Sequence, residues 1–350
     1  MLGTIARWCV LALMVGGAAA QDGPRSAENN ALANEITPEV TRAVDKGLAW
    51  LATRQQDDGS YLGGRFGKNV AIASVAGLAF MADGHLPGRG KYGDVVEQAL
   101  DFVISASAEN GLIAAEAAHG PMYGHGFATL FLGEVEGMTR GGPDSARAER
   151  LHETLIKAVR LIERTQNDEG GWRYNPVPYD ADVSVTICQV MALRSARNAG
   201  LEVDSGVIDR AVEYVKLCQN SDGGFRYQAD SGSSAWPRSA AGVATLFYAG
   251  IYNDASIDRG LDYLERVALP GNSRPSRAHY FYGQYYGVQA TYLAGGDRWA
   301  TWWPAIRSEL LAMQSPAGSW PDTTVGAEYG TAMALIVLQM PKRYLPIFQK

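Results

Sequence analysis

The chain has 350 residues, 47% of them hydrophobic and 19% charged, with a net charge of −6. This mild acidity argues against nucleic acid or an anionic membrane surface as the main partner, and the length is enough for one large core or two small ones. Of three cysteines, Cys9 lies in the N-terminal segment, while Cys188 and Cys218 fall in apolar helical stretches, where one disulfide is allowed but not forced and a structural zinc site lacks ligands.

Met1 to Ala20 reads as a signal peptide. Arg7 supplies the positive charge, Trp8 to Val15 an apolar run too short to span a bilayer, and Ala18-Ala19-Ala20 a cleavage pattern, so the mature protein is expected to be secreted or periplasmic. No other stretch is long and apolar enough to cross a membrane. Residues 21–36 read as a flexible N-terminal segment, 37–340 as a single domain and 341–350 as a C-terminal tail.

The domain is built on a repeat. Gln166-Asn-Asp-Glu-Gly170-Gly-Trp172 is echoed by Gln55…Gly59-Ser-Tyr61, by Gln219…Gly223-Gly-Phe225 and by Gln314…Gly318-Ser-Trp320. Each copy is a turn with an anchor at both ends: Gly takes a crowded or left-handed backbone, the polar residues cap, and the aromatic holds the turn to the body. Two wide gaps call for worn copies at Gly111 and Gly271, giving intervals of 52, 59, 53, 48 and 47 residues. That period marks a solenoid or a closed ring of six units.

Within each unit an amphipathic helix precedes the turn and a helix apolar nearly all round follows it. Leu151, Leu155, Val159 and Ile162 form such a stripe before the third turn, and Val183 to Leu193 is the apolar helix after it. The expected pairs are 37–54 with 69–82, 92–108 with 123–137, 146–165 with 182–199, 205–218 with 239–252, 257–267 with 279–294, and 299–313 with 329–338. The fold class is therefore all-α. Since neither end looks like a polar capping repeat, the twelve helices should close into an α/α toroid of six hairpins, an inner ring within an outer one. If inner and outer helices alternate in direction, all inner N-termini open on one face, carrying His125, Asp182, Ser239, His279 and Tyr329 to one mouth.

The four turns resemble the QW repeat of the terpene cyclase and protein prenyltransferase superfamily, the squalene-hopene cyclases in particular, over about Thr37 to Met340. The resemblance implies an isoprenoid cyclisation or hydrophobic-ligand role, with an isoprenoid or other hydrophobic small molecule as partner and no cofactor. In the cyclases the middle Asp of an Asp-x-Asp-Asp motif protonates an alkene; the similar stretch here is Asp180-Ala-Asp182-Val183, which implies Asp182 as acid and Asp180 as its helper. Such an acid must stay protonated and face a dry, aromatic cavity. This chain departs from the pattern at Val183 and in having one toroid, and Asp182 also reads as a helix N-cap. The zinc set of the prenyltransferases has no counterpart, because no Asp-x-Cys pair occurs, and no metal is expected.

Two other readings stand beside this one. The first is a non-catalytic binding or scaffold toroid. The second is a polysaccharide lyase or hydrolase centred on His279 and Tyr282, which with Tyr286 share one face of the fifth inner helix, while Arg277 at its entrance could hold an anion. His125, in Gly124-His-Gly126, completes the candidate ligand-binding set.

Overall fold

The computed structural model describes residues 35–116, 120–139, 145–271 and 278–349. The expected leader and Arg277 lie outside these residues. The described residues form twelve α-helices: α1 (Pro38–Ala52), α2 (Val70–Met81), α3 (Gly93–Ser105), α4 (Met122–Thr139), α5 (Ser145–Arg164), α6 (Val183–Asn198), α7 (Ser205–Leu217), α8 (Trp236–Tyr248), α9 (Ala255–Ala268), α10 (Tyr280–Ala294), α11 (Gly296–Met313) and α12 (Ala327–Gln339). Among them there is no β-strand, only isolated bridges within the turns. Among the described residues no helix is long and apolar enough to cross a membrane.

The even-numbered helices form an inner ring in which each packs on the next, and α12 packs back on α2 to close it. The odd-numbered helices lie outside, each against the inner helices beside it. Burial follows from the residue pattern. In α9, Ile257, Leu261 and Leu264 are buried while Asp258, Arg259 and Asp262 are exposed, so this helix has one wet face. In α2 every residue but Ala71 is buried. Small residues let the inner helices approach closely: a Cβ on Gly133 of α4 would lie 2.5 Å from Ser195 Oγ of α6. The start of α8 comes three residues earlier than the sequence pattern suggests, because Pro237 suits a first helical turn.

The turns repeat one geometry. The Gln166 Nε2 amide donates to Gly170 O and to Val207 O, both at 2.8 Å, and Val207 belongs to the first turn of the next outer helix. Gln55 donates to Gly59 O and Val95 O, and Gln219 to Gly223 O and Ser256 O. Gln314 donates to Gly318 O and to Ala43 O of α1, which joins the last unit to the first. The turn glycines have φ of +81°, +98°, +88° and +107° in chain order. The aromatic is buried in each copy, and the indoles of Trp172 and Trp320 donate back to Ile162 O and Leu310 O. The worn copies keep the backbone, with φ of +87° at Gly111 and +81° at Gly271.

After α12 the chain folds back across the far end of the inner ring. Leu345, Ile347 and Phe348 are buried, and the turn Pro346–Phe348 packs on α4 and α6. The Ile347 N–H donates to Glu134 Oε2 at 3.0 Å, while Ser195 Oγ donates to Glu134 Oε1 at 2.7 Å. Burial pushes the Glu134 carboxyl up to about 7 against the pull of these two donors. Cys188 and Cys218 are both buried and free.

Two outcomes follow. A Cβ on Gly170 would meet Arg210 O at 2.2 Å, whereas one on Gly250 (φ +91°) meets nothing within 4 Å. In urea titrations Gly250→Ala should lose only the left-handed strain, about 1–2 kcal/mol, and Gly170→Ala should lose more than about 3 kcal/mol. The folded state keeps a proton on Glu134 up to about pH 7, while an unfolded glutamate releases it near 4.5. Folding therefore binds a proton across that window, and stability should fall as pH rises from 4.5 to 7, by up to roughly 1.4 kcal/mol per pH unit. Between pH 6 and 7, Glu134→Gln should show a flatter dependence than the wild type.

Candidate functional site

The first turns of all six inner helices line one cavity of about 650 Å³. Its walls come from Val70 and Ala71 of α2, Tyr123 and Phe127 of α4, Ser184 of α6, Pro237 and Arg238 of α8, Tyr282 of α10, and Tyr329 of α12. The segments that join each turn to its inner helix add Phe66, Tyr174 and Tyr227. The wall is chiefly aromatic and aliphatic, with polar groups Arg65, Glu116, Asn175 and His279 among the rest. Glu116 is exposed, and its Oε2 accepts the Lys68 N–H at 3.1 Å. Beneath the cavity the barrel is filled by Tyr285 and Tyr286, with ring centroids 4.8 Å apart, and by Cys188.

The residues singled out in the sequence divide into those that face this chamber and those that only stand near it. Tyr282 faces it, donating its hydroxyl to Ser184 O at 3.0 Å, and so does His279, the exposed residue before α10, whose backbone is left-handed at φ 56°. Tyr286 lies one turn deeper, wholly buried, with its hydroxyl 3.4 Å from Cys188 Sγ. His125 does not reach the chamber. It is fully buried, its Nδ1 accepts the Ile113 N–H at 3.1 Å, and its Nε2–H donates to Ala158 O at 3.2 Å, so it ties α4 to α5. Burial lowers its pKa to about 4 and keeps it neutral. Ser239 likewise turns back, donating to Ala235 O and accepting the Phe225 N–H.

Asp182 is the N-cap of α6. It has no exposed surface, and its Oδ1 accepts the Val185 N–H at 2.9 Å. Its Oδ2 accepts the hydroxyl of Tyr227 at 3.2 Å, with Arg173 Nε 3.8 Å away. Burial pushes the carboxyl up to about 6, opposed by these donors. The carboxylate is thus one phenol removed from the chamber, behind Tyr227. Asp180 pairs with Arg173, and the Arg173 guanidinium lies over the rings of Tyr174 and Tyr227, at 5.1 and 5.5 Å. Arg238 lies over the Tyr227 ring as well, at 6.0 Å. Among the described residues no cluster of three or more His, Cys, Asp or Glu side chains is placed to hold a metal ion.

Sequence reasoning passed over Tyr174 and Tyr227, although a signal was present. The third and fourth turns both continue from their aromatic into Arg-Tyr, as Trp172-Arg173-Tyr174 and Phe225-Arg226-Tyr227, and both tyrosines reach the chamber.

In fold, the chain is similar to MstE, a type II terpene cyclase from Scytonema, with a TM-score of 0.60 at 16% identity over 88% of this chain and 100% of that one. It is also similar to an inactive variant of an α-1,6-mannanase from Salegentibacter sp. HEL1_6 in complex with α-1,6-mannotetrose, with a TM-score of 0.66 at 7% identity over 87% of this chain and 99% of that one. A glycosidase variant in complex with glucose matches with a TM-score of 0.59 at 11% identity, over 91% and 99% of the two chains. At such identities the likeness is one of fold, the α/α toroid. No family model and no curated protein matches the chain by sequence.

The capping role of Asp182 sets a stability outcome. Asp182→Asn keeps an acceptor for the Val185 N–H and should cost less than about 1 kcal/mol, whereas Asp182→Ala loses the cap and should cost about 1–2 kcal/mol in chemical denaturation.

Proposed function

We propose that the chain binds an elongated apolar small molecule of isoprenoid type in the chamber at the mouth of the inner ring. The observation that carries this reading is the lining: about 650 Å³ enclosed mainly by aromatic and aliphatic side chains, with a few polar groups among them. A volume of this order and an apolar wall with sparse polar groups are typical of small-molecule sites. A type II terpene cyclase of the same fold is known in complex with geranylgeranyl dihydroxybenzoate as substrate, which supports the ligand class.

Direct protonation of that ligand by Asp182 is not part of the proposal. Its carboxyl caps α6 and is covered by Tyr227. The glycan reading draws on neighbours of equal structural likeness. A glycoside hydrolase ordinarily needs two carboxyl groups about 5 to 9.5 Å apart across the scissile bond. Among the described residues of the chamber wall, Glu116 is the one carboxylate.

The test is a blocked chamber. Ala71→Trp projects an indole from the first turn of α2 into the cavity and should weaken the binding of farnesol, followed by calorimetry, at least tenfold while leaving the thermal midpoint within a few degrees. If the wild type ignores farnesol and instead binds or cleaves α-1,6-mannotetrose, the apolar-ligand reading is wrong.

A further inference from the structure

The polarity of one hydrogen-bond chain says what the ligand carries. Tyr227 donates its only hydroxyl proton to Asp182 Oδ2 at 3.2 Å. The close contact between the Tyr227 and Tyr174 hydroxyls must then use the proton of Tyr174. Tyr174 is left on the chamber wall with a lone pair to offer and no proton to give. Beside it stands Tyr123, its ring centroid 6.1 Å away, whose hydroxyl has no hydrogen-bond partner among the described residues and is free to donate.

An acceptor and a donor side by side in a wall that is otherwise mostly apolar match one functional group well. A hydroxyl both accepts and donates. We propose that Tyr123 and Tyr174 together read a hydroxyl on the ligand, so that the molecule held is an apolar alcohol. Its oxygen accepts from Tyr123 and its proton goes to Tyr174. An ether or ketone can satisfy Tyr123 but leaves the free lone pair of Tyr174 unmatched, and a hydrocarbon leaves the Tyr123 proton unmatched as well. Tyr282 does not compete for this task, since its proton is committed to Ser184 O. The hydrogen-bond chain keeps this direction at pH 7 and above, where the Asp182 carboxyl, pushed up to about 6 by burial, is ionised and can only accept.

This inference rests on the apolar-ligand reading of the chamber, and the experiment separates the two. Farnesol, farnesyl methyl ether and farnesene share one hydrocarbon chain and differ in the group that matters. Calorimetric affinities of the wild type should rank the alcohol above the ether and the ether above the hydrocarbon, by roughly three- to tenfold at each step. Tyr174→Phe should weaken farnesol alone. Tyr123→Phe should weaken farnesol and the ether, and neither variant should weaken farnesene. The Tyr123 hydroxyl makes no hydrogen bond among the described residues, so Tyr123→Phe should fold as the wild type does, and circular dichroism checks both variants. If farnesene binds as well as farnesol, or if neither variant weakens farnesol, the hydroxyl assignment falls and the apolar-ligand reading stands. If none of the three probes binds, both fall.

Discussion

A single side-chain amide holds this ring together. Each turn glutamine sits at the end of one outer helix and donates both to its own turn and to the first or second turn of the next outer helix. The inner helices follow from that arrangement. Once the outer helices are fixed in sequence, each turn aromatic is buried, and the backbone N–H groups of Trp172, Phe225 and Trp320 bond the hydroxyls of Thr186, Ser239 and Thr331 on the following inner helix. The same bond recurs between the last unit and the first, so no unit is left with an open face. The chamber exists because these clamps bring six helix starts to one level.

The fold was legible because its signals are local and repeated. A glycine that must take positive φ, a glutamine four residues earlier and an aromatic two residues later can be read without knowing any neighbour, and two worn glycines were found by spacing alone. The site was legible only in outline. That His125 begins an inner helix is plain in the sequence, but the rotation of that helix is not. Tyr123 and His125 are two residues apart on a helix and so point in nearly opposite directions, and once Tyr123 faces the chamber His125 must face α5. Tyr282 and Tyr286 share a face, yet one turn of helix separates a wall residue from a packed interior. Asp182 posed a different difficulty, since a carboxylate at a helix start can bond its own backbone or the cavity, and only the position of Tyr227 decides the matter.

One ring architecture is shared with a terpene cyclase and with glycosidases, so the ring itself selects no chemistry. What selects it is the set of side chains on the first turns of the inner helices and in the segments leading to them. Here that set is rich in phenols, and the carboxyl expected to act as an acid serves the backbone. Arg173 and Arg238 lie over the ring of Tyr227, whose hydroxyl donates to Asp182.

The folded-back C-terminal residues have a consequence for traffic. Because Leu345, Ile347 and Phe348 cover the far end of the ring and tyrosines fill its middle, the chamber, as the described residues form it, opens toward the face where the inner helices begin. A long guest cannot pass through such a ring; it must back out by the way it came. Which of its ends leads is therefore settled at the threshold, and a molecule that goes in the wrong way round has to leave before a correctly oriented one can take its place. The orientation of the guest becomes a kinetic property of the doorway as well as an equilibrium property of the wall.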